Sequence, residues 1–284
     1  MKKIFTILCI TAMALFSSCV REGDLDLDPV PDIAFEYTCD GLTLTFNSVV
    51  ANTSDVKWEV VGLTQGSGET FTFTFPKPGI YWIKMTGKYN GQEQVVAGKI
   101  LVAKPSPVKL DDNSFDDWNN VTYPDFYMEG SDGISYAKFD YNADYVFFYV
   151  AMSTAIDGCT ADGAIMNMRI DCDDLTGTGM STKGLGCDWY LEGNFWKAED
   201  PWADWYDCAS GDTVWTDGMS IEMGTYRNEG DMVYMEFALS RKKFGINGSS
   251  MGLFFKFYTE DWEDAFGMSC QGKTTFHFAL DKTE

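Results

Sequence analysis

Beyond residue 32, apolar and polar positions alternate in short runs separated by turn-forming residues. Between residues 33 and 103 the runs are IAFEYT, LTLTFNS, VKWEVV, TFTFTF, IYWIKMTG and QVVAGKILV. Leu42, Leu44 and Phe46 within LTLTF fall on one side, the period of two that marks a half-buried strand. From residue 134 onward the runs are ISYAKFDY, DYVFFYVAM, AIMNMRIDC, CDWYLEG, MSIEMGTYR, MVYMEFALS, GLFFKFY and TTFHFAL. Turn sequences such as Asn142-Ala143-Asp144 and Asn228-Glu229-Gly230-Asp231 separate them and suit antiparallel hairpins. Only Arg241 to Phe244, after Leu239-Ser240, hints at a helical turn. The pattern predicts an all-β chain with two β-sandwiches, over 33–104 and 110–284, and Lys104-Pro105-Ser106-Pro107 as a stiffened hinge between them.

The amino terminus departs from this pattern. Lys2 and Lys3 precede an apolar run, Ile4 to Phe16, that is too short to cross a bilayer. Residues 1–18 therefore read as a secretory signal peptide. Phe16-Ser17-Ser18-Cys19 resembles the lipobox of bacterial lipoproteins, with Phe16 where leucine is usual. The resemblance implies cleavage before Cys19 and lipidation of its sulfur. Residues 19–32 form an acidic tether carrying Glu22, Asp24, Asp26, Asp28 and Asp32 with Pro29 and Pro31, a composition that stays extended. It resembles the surface-export signal of Bacteroidetes lipoproteins, which implies an outer-membrane, lipid-anchored protein facing the cell exterior.

Charge narrows the partners. The formal net charge is −22, with 43 acidic residues against 21 basic. Loss of Lys2 and Lys3 with the signal makes it −24. A chain this acidic offers no patch to neutralise phosphates, so nucleic acid is not expected as a partner. Neutral or cationic ligands and divalent cations fit better. After the signal and the lipidated cysteine, six cysteines remain: Cys39, Cys159, Cys172, Cys187, Cys208 and Cys270. Export permits disulfides, and six cysteines allow 15 pairings. Cys187 and Cys208 are candidates to bridge the stretch they flank, unless Cys187 faces the core. No C-x-x-C pair exists to support a zinc ribbon or a thioredoxin-type site.

The candidate chemistry concentrates between Cys187 and Cys208, CDWYLEGNFWKAEDPWADWYDC, which holds seven aromatic and six acidic residues. Its first part alternates, with Cys187, Trp189 and Leu191 on one side, which places Trp189 in the core. After Gly193 the alternation stops, and the remainder reads as a loop. Aromatic faces stack on the C–H faces of sugar rings, and carboxylates accept hydroxyl hydrogen bonds. Trp196, Trp202, Trp205 and Tyr206 are thus candidate stacking residues, with Glu192, Asp204 and Lys197 fixing hydroxyls. Trp262, among Glu260, Asp261, Glu263 and Asp264, is a further candidate. The alternative is that these rings fill the core. Asp171, Asp173 and Asp174, followed by Thr176-Gly177-Thr178-Gly179, are candidate calcium ligands, because clustered carboxylates in a glycine-bearing loop suit a hard cation. The alternative is a turn with solvated acids.

Family resemblance sharpens the reading. Trp58 in VKWEV and Pro78-Gly79-Ile80-Tyr81 opening a strand resemble a PKD-type immunoglobulin-like domain over 33–104, although that family's W-x-F-G-D-G stretch is WEVVGLTQGSG here. The resemblance implies a spacer without chemistry. Asp116-Asp117-Trp118, DYVFFYVAM, RIDCDDLTGTG, CDWYLEGNFW and MVYMEFALSRKKFG resemble a CBM9-like, DOMON-related domain. That implies a jelly-roll-like sandwich that binds saccharide. Together they suggest a non-catalytic cell-surface lipoprotein that captures polysaccharide or oligosaccharide for uptake, with outer-membrane transporter components as candidate partners. The alternative is a surface adhesin or structural lipoprotein that binds a protein partner. A glycoside hydrolase ranks below both, because acids are too abundant to single out a catalytic pair. The lone histidine, His277, has Phe276 and Phe278 pointing away from it and reads as a solvated strand residue, so neither a histidine-based mechanism nor an axial haem ligand has support.

Overall fold

Alternation becomes paired strands throughout the computed structural model, which describes residues 31–121 and 126–281. The signal segment 1–18, Cys19 and the tether up to residue 30 lie outside the described residues. The first seven strands are β1 (Phe35–Asp40), β2 (Thr43–Ser48), β3 (Ser54–Val60), β4 (Thr64–Ser67), β5 (Thr70–Thr74), β6 (Gly79–Tyr89) and β7 (Gln92–Val102). They form two antiparallel sheets, β1-β2-β5 and β4-β3-β6-β7. Leu44 and Phe46 from the first meet Trp58, Val60, Ile83 and Met85 from the second in one buried core. This strand order is that of an immunoglobulin-like sandwich. Trp58 is the core tryptophan, with its indole Nε1 donating to the Gly68 carbonyl. Tyr81, near the start of β6, donates its hydroxyl to the Lys77 carbonyl at 2.7 Å and locks the turn that opens the strand.

The second core is larger. Its strands are β8 (Tyr127–Gly130), β9 (Tyr136–Tyr141), β10 (Tyr145–Ser153), β11 (Ile165–Asp171), β12 (Met180–Thr182), β13 (Leu185–Cys187), β14 (Trp189–Asn194), β15 (Trp202–Asp207), β16 (Val214–Thr216), β17 (Glu222–Glu229), β18 (Met232–Ser240), β19 (Ser250–Tyr258), β20 (Asp264–Ser269) and β21 (Thr275–Ala279). One layer runs β17-β18-β10-β9-β8 and the other β16-β15-β14-β11-β19, with β21 beside β19. β20 joins them: it pairs with β19 through Phe266 and Gly267 and with β8 through Met268 and Ser269. The layers bury Phe148 and Phe237 against Met166, Met168, Phe255 and Phe257. Ring contacts cross between them, Phe195 on Phe237 at 5.2 Å and Phe139 on Phe276 at 5.1 Å. The fold is all-β. The helical turn is α1 (Arg241–Phe244), capped by the Ser240 hydroxyl and ended by Gly245 at φ +72°.

Two expectations change. The segment read as a hinge is pinned: Lys104 is buried, its ammonium is paired with Asp140, and it lies 4.8 Å from the Tyr141 ring centroid. The Ser106 hydroxyl also donates to Asp140. The segment read as a loop after Gly193 is instead a hairpin, because residues 202–207 pair as β15 with β14 over the full length of both strands. Gly193 marks a close approach, not the end of order. A Cβ there would lie 2.4 Å from the Trp202 carbonyl oxygen.

Candidate functional site

The hairpin sorts the aromatic stretch between two faces. In β15, Trp205 points inward and Trp202, Asp204 and Tyr206 point outward, as period two requires. Trp205 is 2% exposed and packs on Phe244 at 4.8 Å. Trp196, in the connection, is 5% exposed, donates Nε1 to the Ala161 carbonyl at 2.9 Å, and meets Phe257 at 6.1 Å. The expectation that Trp196 and Trp205 line a solvent platform is therefore corrected. Both fill the core, because burying a large ring outweighs exposing it and the strand period assigns Trp205 to the inner side. Trp189, expected in the core, is half-buried at its margin, against Phe244 with Nε1 donating to the Phe244 carbonyl.

The outward residues meet on one sheet face. Register places Phe254, Arg169, Tyr190, Tyr206 and Trp215 side by side across β19, β11, β14, β15 and β16. At the usual interstrand spacing this row is about 19 Å long. Tyr190 and Tyr206 stack at 5.3 Å with 24° between planes. Trp215 is 59% exposed. A second row holds Lys256, Asn167, Glu192 and Asp204. Trp202 contacts Trp262 at 6.2 Å, and Trp262 contacts Tyr258 at 6.1 Å, closing one edge. Trp262 is exposed and adopts φ +65°, a strained conformation for a bulky residue. Lys197 is half-buried, and its backbone N–H donates to Asn194.

A hydrogen-bond network holds the polar groups in place. Arg169 Nη1 donates to Asn167 Oδ1 at 2.6 Å. Asn167 Nδ2 donates to the Tyr190 hydroxyl at 2.6 Å and to Glu192 Oε1 at 3.1 Å. Trp215 Nε1 donates to Asp204 at 3.4 Å. Burial, helped by the neighbouring Asp204, pushes the Glu192 carboxyl up, against the pull of Arg169. Burial first, then Asp204 and Glu192, raise the Tyr206 phenol. Preordered rings beside carboxylates and an amide can stack on flat apolar faces and bind hydroxyls.

The sequence reading missed Trp215, Tyr190, Phe254, Arg169 and Asn167. A signal existed for two of them: Asn167 and Arg169 are the outward polar positions of a strand whose Met166, Met168 and Ile170 face the core.

The acidic loop is rearranged relative to expectation. Asp171, Asp173 and Asp188 bring carboxylate oxygens within 4.8 Å of one another. Asp174 turns aside to His277, at 2.6 Å from Nδ1, because β21 lies next to β19 and brings His277 within reach. Burial first, then Asp173, raises the Asp171 carboxyl, which accepts from the Leu175 and Gly186 backbone N–H groups. Three carboxylates offer part of the six to eight oxygens that calcium takes. Cys187 and Cys208 are buried free thiols in mutual contact, and burial pushes Cys187 up to about 12.

No family model matches the chain, and no curated protein matches it. A solved structure of carbohydrate-binding modules from the beta-sandwich superfamily, described as the structural basis for their promiscuous specificity, is similar at 12% identity. The match covers 89% of this chain and 97% of that one, with a TM-score of 0.27. That score is too low for the likeness to bear on the site.

Proposed function

We propose that the chain is a non-catalytic glycan-binding protein that engages polysaccharide or oligosaccharide on the outer face of β19-β11-β14-β15-β16. The row of Tyr190, Tyr206 and Trp215 beside Glu192 and Asp204 carries this reading. Trp215 stacks on the saccharide, the stacked pair Tyr190 and Tyr206 supplies further apolar contact, and Glu192, Asp204 and Asn167 fix its hydroxyls. Trp202 and Trp262 border the same face. A glycan array on the full chain tests it. Trp215→Ala should weaken any positive binding several-fold or more, since an aromatic contact contributes about 0.5–1.5 kcal/mol beyond its buried area. Retained binding in Trp215→Ala and Tyr206→Ala together would move the site elsewhere. Hydrolysis of a polysaccharide panel by the purified chain would refute the non-catalytic part.

Anchoring to the outer membrane through lipid on Cys19, outward display and delivery to transporter components complete the proposal. The lipobox-like residues 16–19 and the acidic run after them support it. Cys19→Ala should release the protein from the membrane fraction, and protease added to intact cells should degrade the wild type. Resistance of the wild type would place it on the periplasmic side.

A second reading, an adhesin or structural lipoprotein binding a protein partner, has its own observation. Ile80, Trp82 and Val95 are about half exposed on the β6-β7 face, where Lys99 lies over the Trp82 ring at 5.3 Å. A protein crosslinked through Trp82 on intact cells, with no glycan bound by the wild type, would favour it.

A further inference from the structure

We propose that the saccharide bound on this face is acidic, and that Arg169 with Lys183 recognises its carboxylate or sulfate. The inference rests on the glycan-binding reading and specifies its ligand. Two cations share one ring: the Arg169 guanidinium carbon lies 5.6 Å and the Lys183 ammonium 5.4 Å from the Phe254 centroid. Phe254 itself is 6% exposed. Among the described residues neither cation has a carboxylate within 4.0 Å, in a chain with 43 acidic residues. Both cations lie within 5.6 Å of one ring centroid, so an anion bound beside Phe254 is attracted by both.

Arg169 is also prepared for an anion. Its guanidinium lies 4.4 Å from the Tyr190 centroid, and Nη1 is tethered to Asn167. Its Nε is buried without a hydrogen-bond partner, and among the described residues only Nη1 of the guanidinium makes a hydrogen bond, which leaves Nη2 without one. Glu192, on the adjacent strand, is attracted by Arg169 but forms no ion pair with it within 4.0 Å and accepts from Asn167 instead. A planar guanidinium with free donors matches a carboxylate or a sulfate in fork geometry. Its place in the row, between Phe254 and Tyr190, puts the anion-binding donor beside the stacking rings. A saccharide lying along the row can then stack on the exposed Trp215 and contact Tyr206 while an acidic substituent of a neighbouring sugar unit reaches Arg169.

The test compares ligands that differ only in charge. The full chain is titrated with oligogalacturonate and its methyl ester, and with a sulfated oligosaccharide and its desulfated form. An array of neutral, uronate-bearing and sulfated glycans is run beside the titrations. At least one acidic form should bind about tenfold or more tightly than its neutral counterpart, as expected for charge-assisted hydrogen bonds. The preferred pair identifies carboxylate or sulfate as the group read. Arg169→Gln should abolish most of that ratio, Arg169→Lys should restore part of it, and Lys183→Gln should reduce it. The wild-type ratio needs no variant to fold, so it stands if Arg169→Gln does not. Equal affinity for charged and neutral forms overturns this inference and leaves the glycan-binding reading intact. Failure of every glycan, neutral or acidic, removes both.

Discussion

Trp196 and Trp205 are both buried, but only Trp196 has a hydrogen-bond partner for its indole. Trp196 Nε1 donates to the Ala161 carbonyl, while Trp205 Nε1 is buried with no partner among the described residues. Either residue changed to Ala should cost roughly 3–5 kcal/mol through the cavity it leaves. Phenylalanine separates them. Trp196→Phe strands the Ala161 acceptor, a loss of about 1–3 kcal/mol, whereas Trp205→Phe removes a donor that is already unsatisfied. Urea unfolding should therefore show Trp196→Phe as the more damaging change by about 1 kcal/mol or more. Equal losses would mean that the Trp196 bond contributes nothing. Trp215, by contrast, is 59% exposed, and its replacement by Ala should stay within about 0.5 kcal/mol of wild type. Residue type alone could not distinguish these three tryptophans, since all three lie close to carboxylates in the sequence.

At the scale of the element, β15 decides how the candidate site residues are sorted. Five of its six residues, WADWYD, are aromatic or acidic, a composition that looks like a loop until pairing with β14 imposes period two. Pairing then sends Trp205 inward and presents Asp204 and Tyr206 beside Glu192 and Tyr190. The loop that follows β11 behaves similarly. Asp171 ends that strand and Asp188 opens the next hairpin, so pairing of β11 with β14 draws them together with Asp173. As a proposal, calcium bound at Asp171, Asp173 and Asp188 stabilises this loop. None of these carboxylates has an ion-pair partner among the described residues. Millimolar calcium should then raise the melting temperature, by an amount that grows with the logarithm of its concentration. Asp173→Asn should remove the rise, while Asp174→Asn should keep it because Asp174 is engaged with His277. Identical melting curves with calcium and with chelator would discard the ion.

At the scale of the whole molecule, two cores are joined through a buried ion pair. Lys104 and Asp140 are 6% and 2% exposed, and the Ser106 hydroxyl shares the carboxylate. Removing one partner leaves the other charge buried, so Lys104→Ala should cost roughly 3–5 kcal/mol. A double change, Lys104→Met with Asp140→Leu, should recover most of that, because a buried pair replaced by apolar residues is often neutral. Denaturant unfolding of the three variants checks this. A double variant as unstable as Lys104→Ala would show that shape at this junction, not charge, holds it. In the sequence, the same residues beside Pro105 and Pro107 suggest only a stiff linker. Asp140 lies 36 residues away, on β9, and nothing local announces it as the partner.

The sequence by itself determined the class of fold and most of the strands. Period-two alternation is a local property, and it is strong in runs such as LTLTF and DYVFFYVAM, where large apolar residues must share one face. It also determined the helical turn at Arg241–Phe244, through the Ser240 cap and Gly245. It singled out Glu192, Asp204, Tyr206, Trp202 and Trp262 by chemistry, but grouped them with Trp196 and Trp205. Only the tertiary structure separated those sets, because inside and outside are set by register against a neighbouring strand and by the layer packed beneath. Register also assembled Phe254, Arg169, Tyr190, Tyr206 and Trp215 from five strands up to 85 residues apart. A row running across strands has no period along the chain, so no stretch of the sequence displays it.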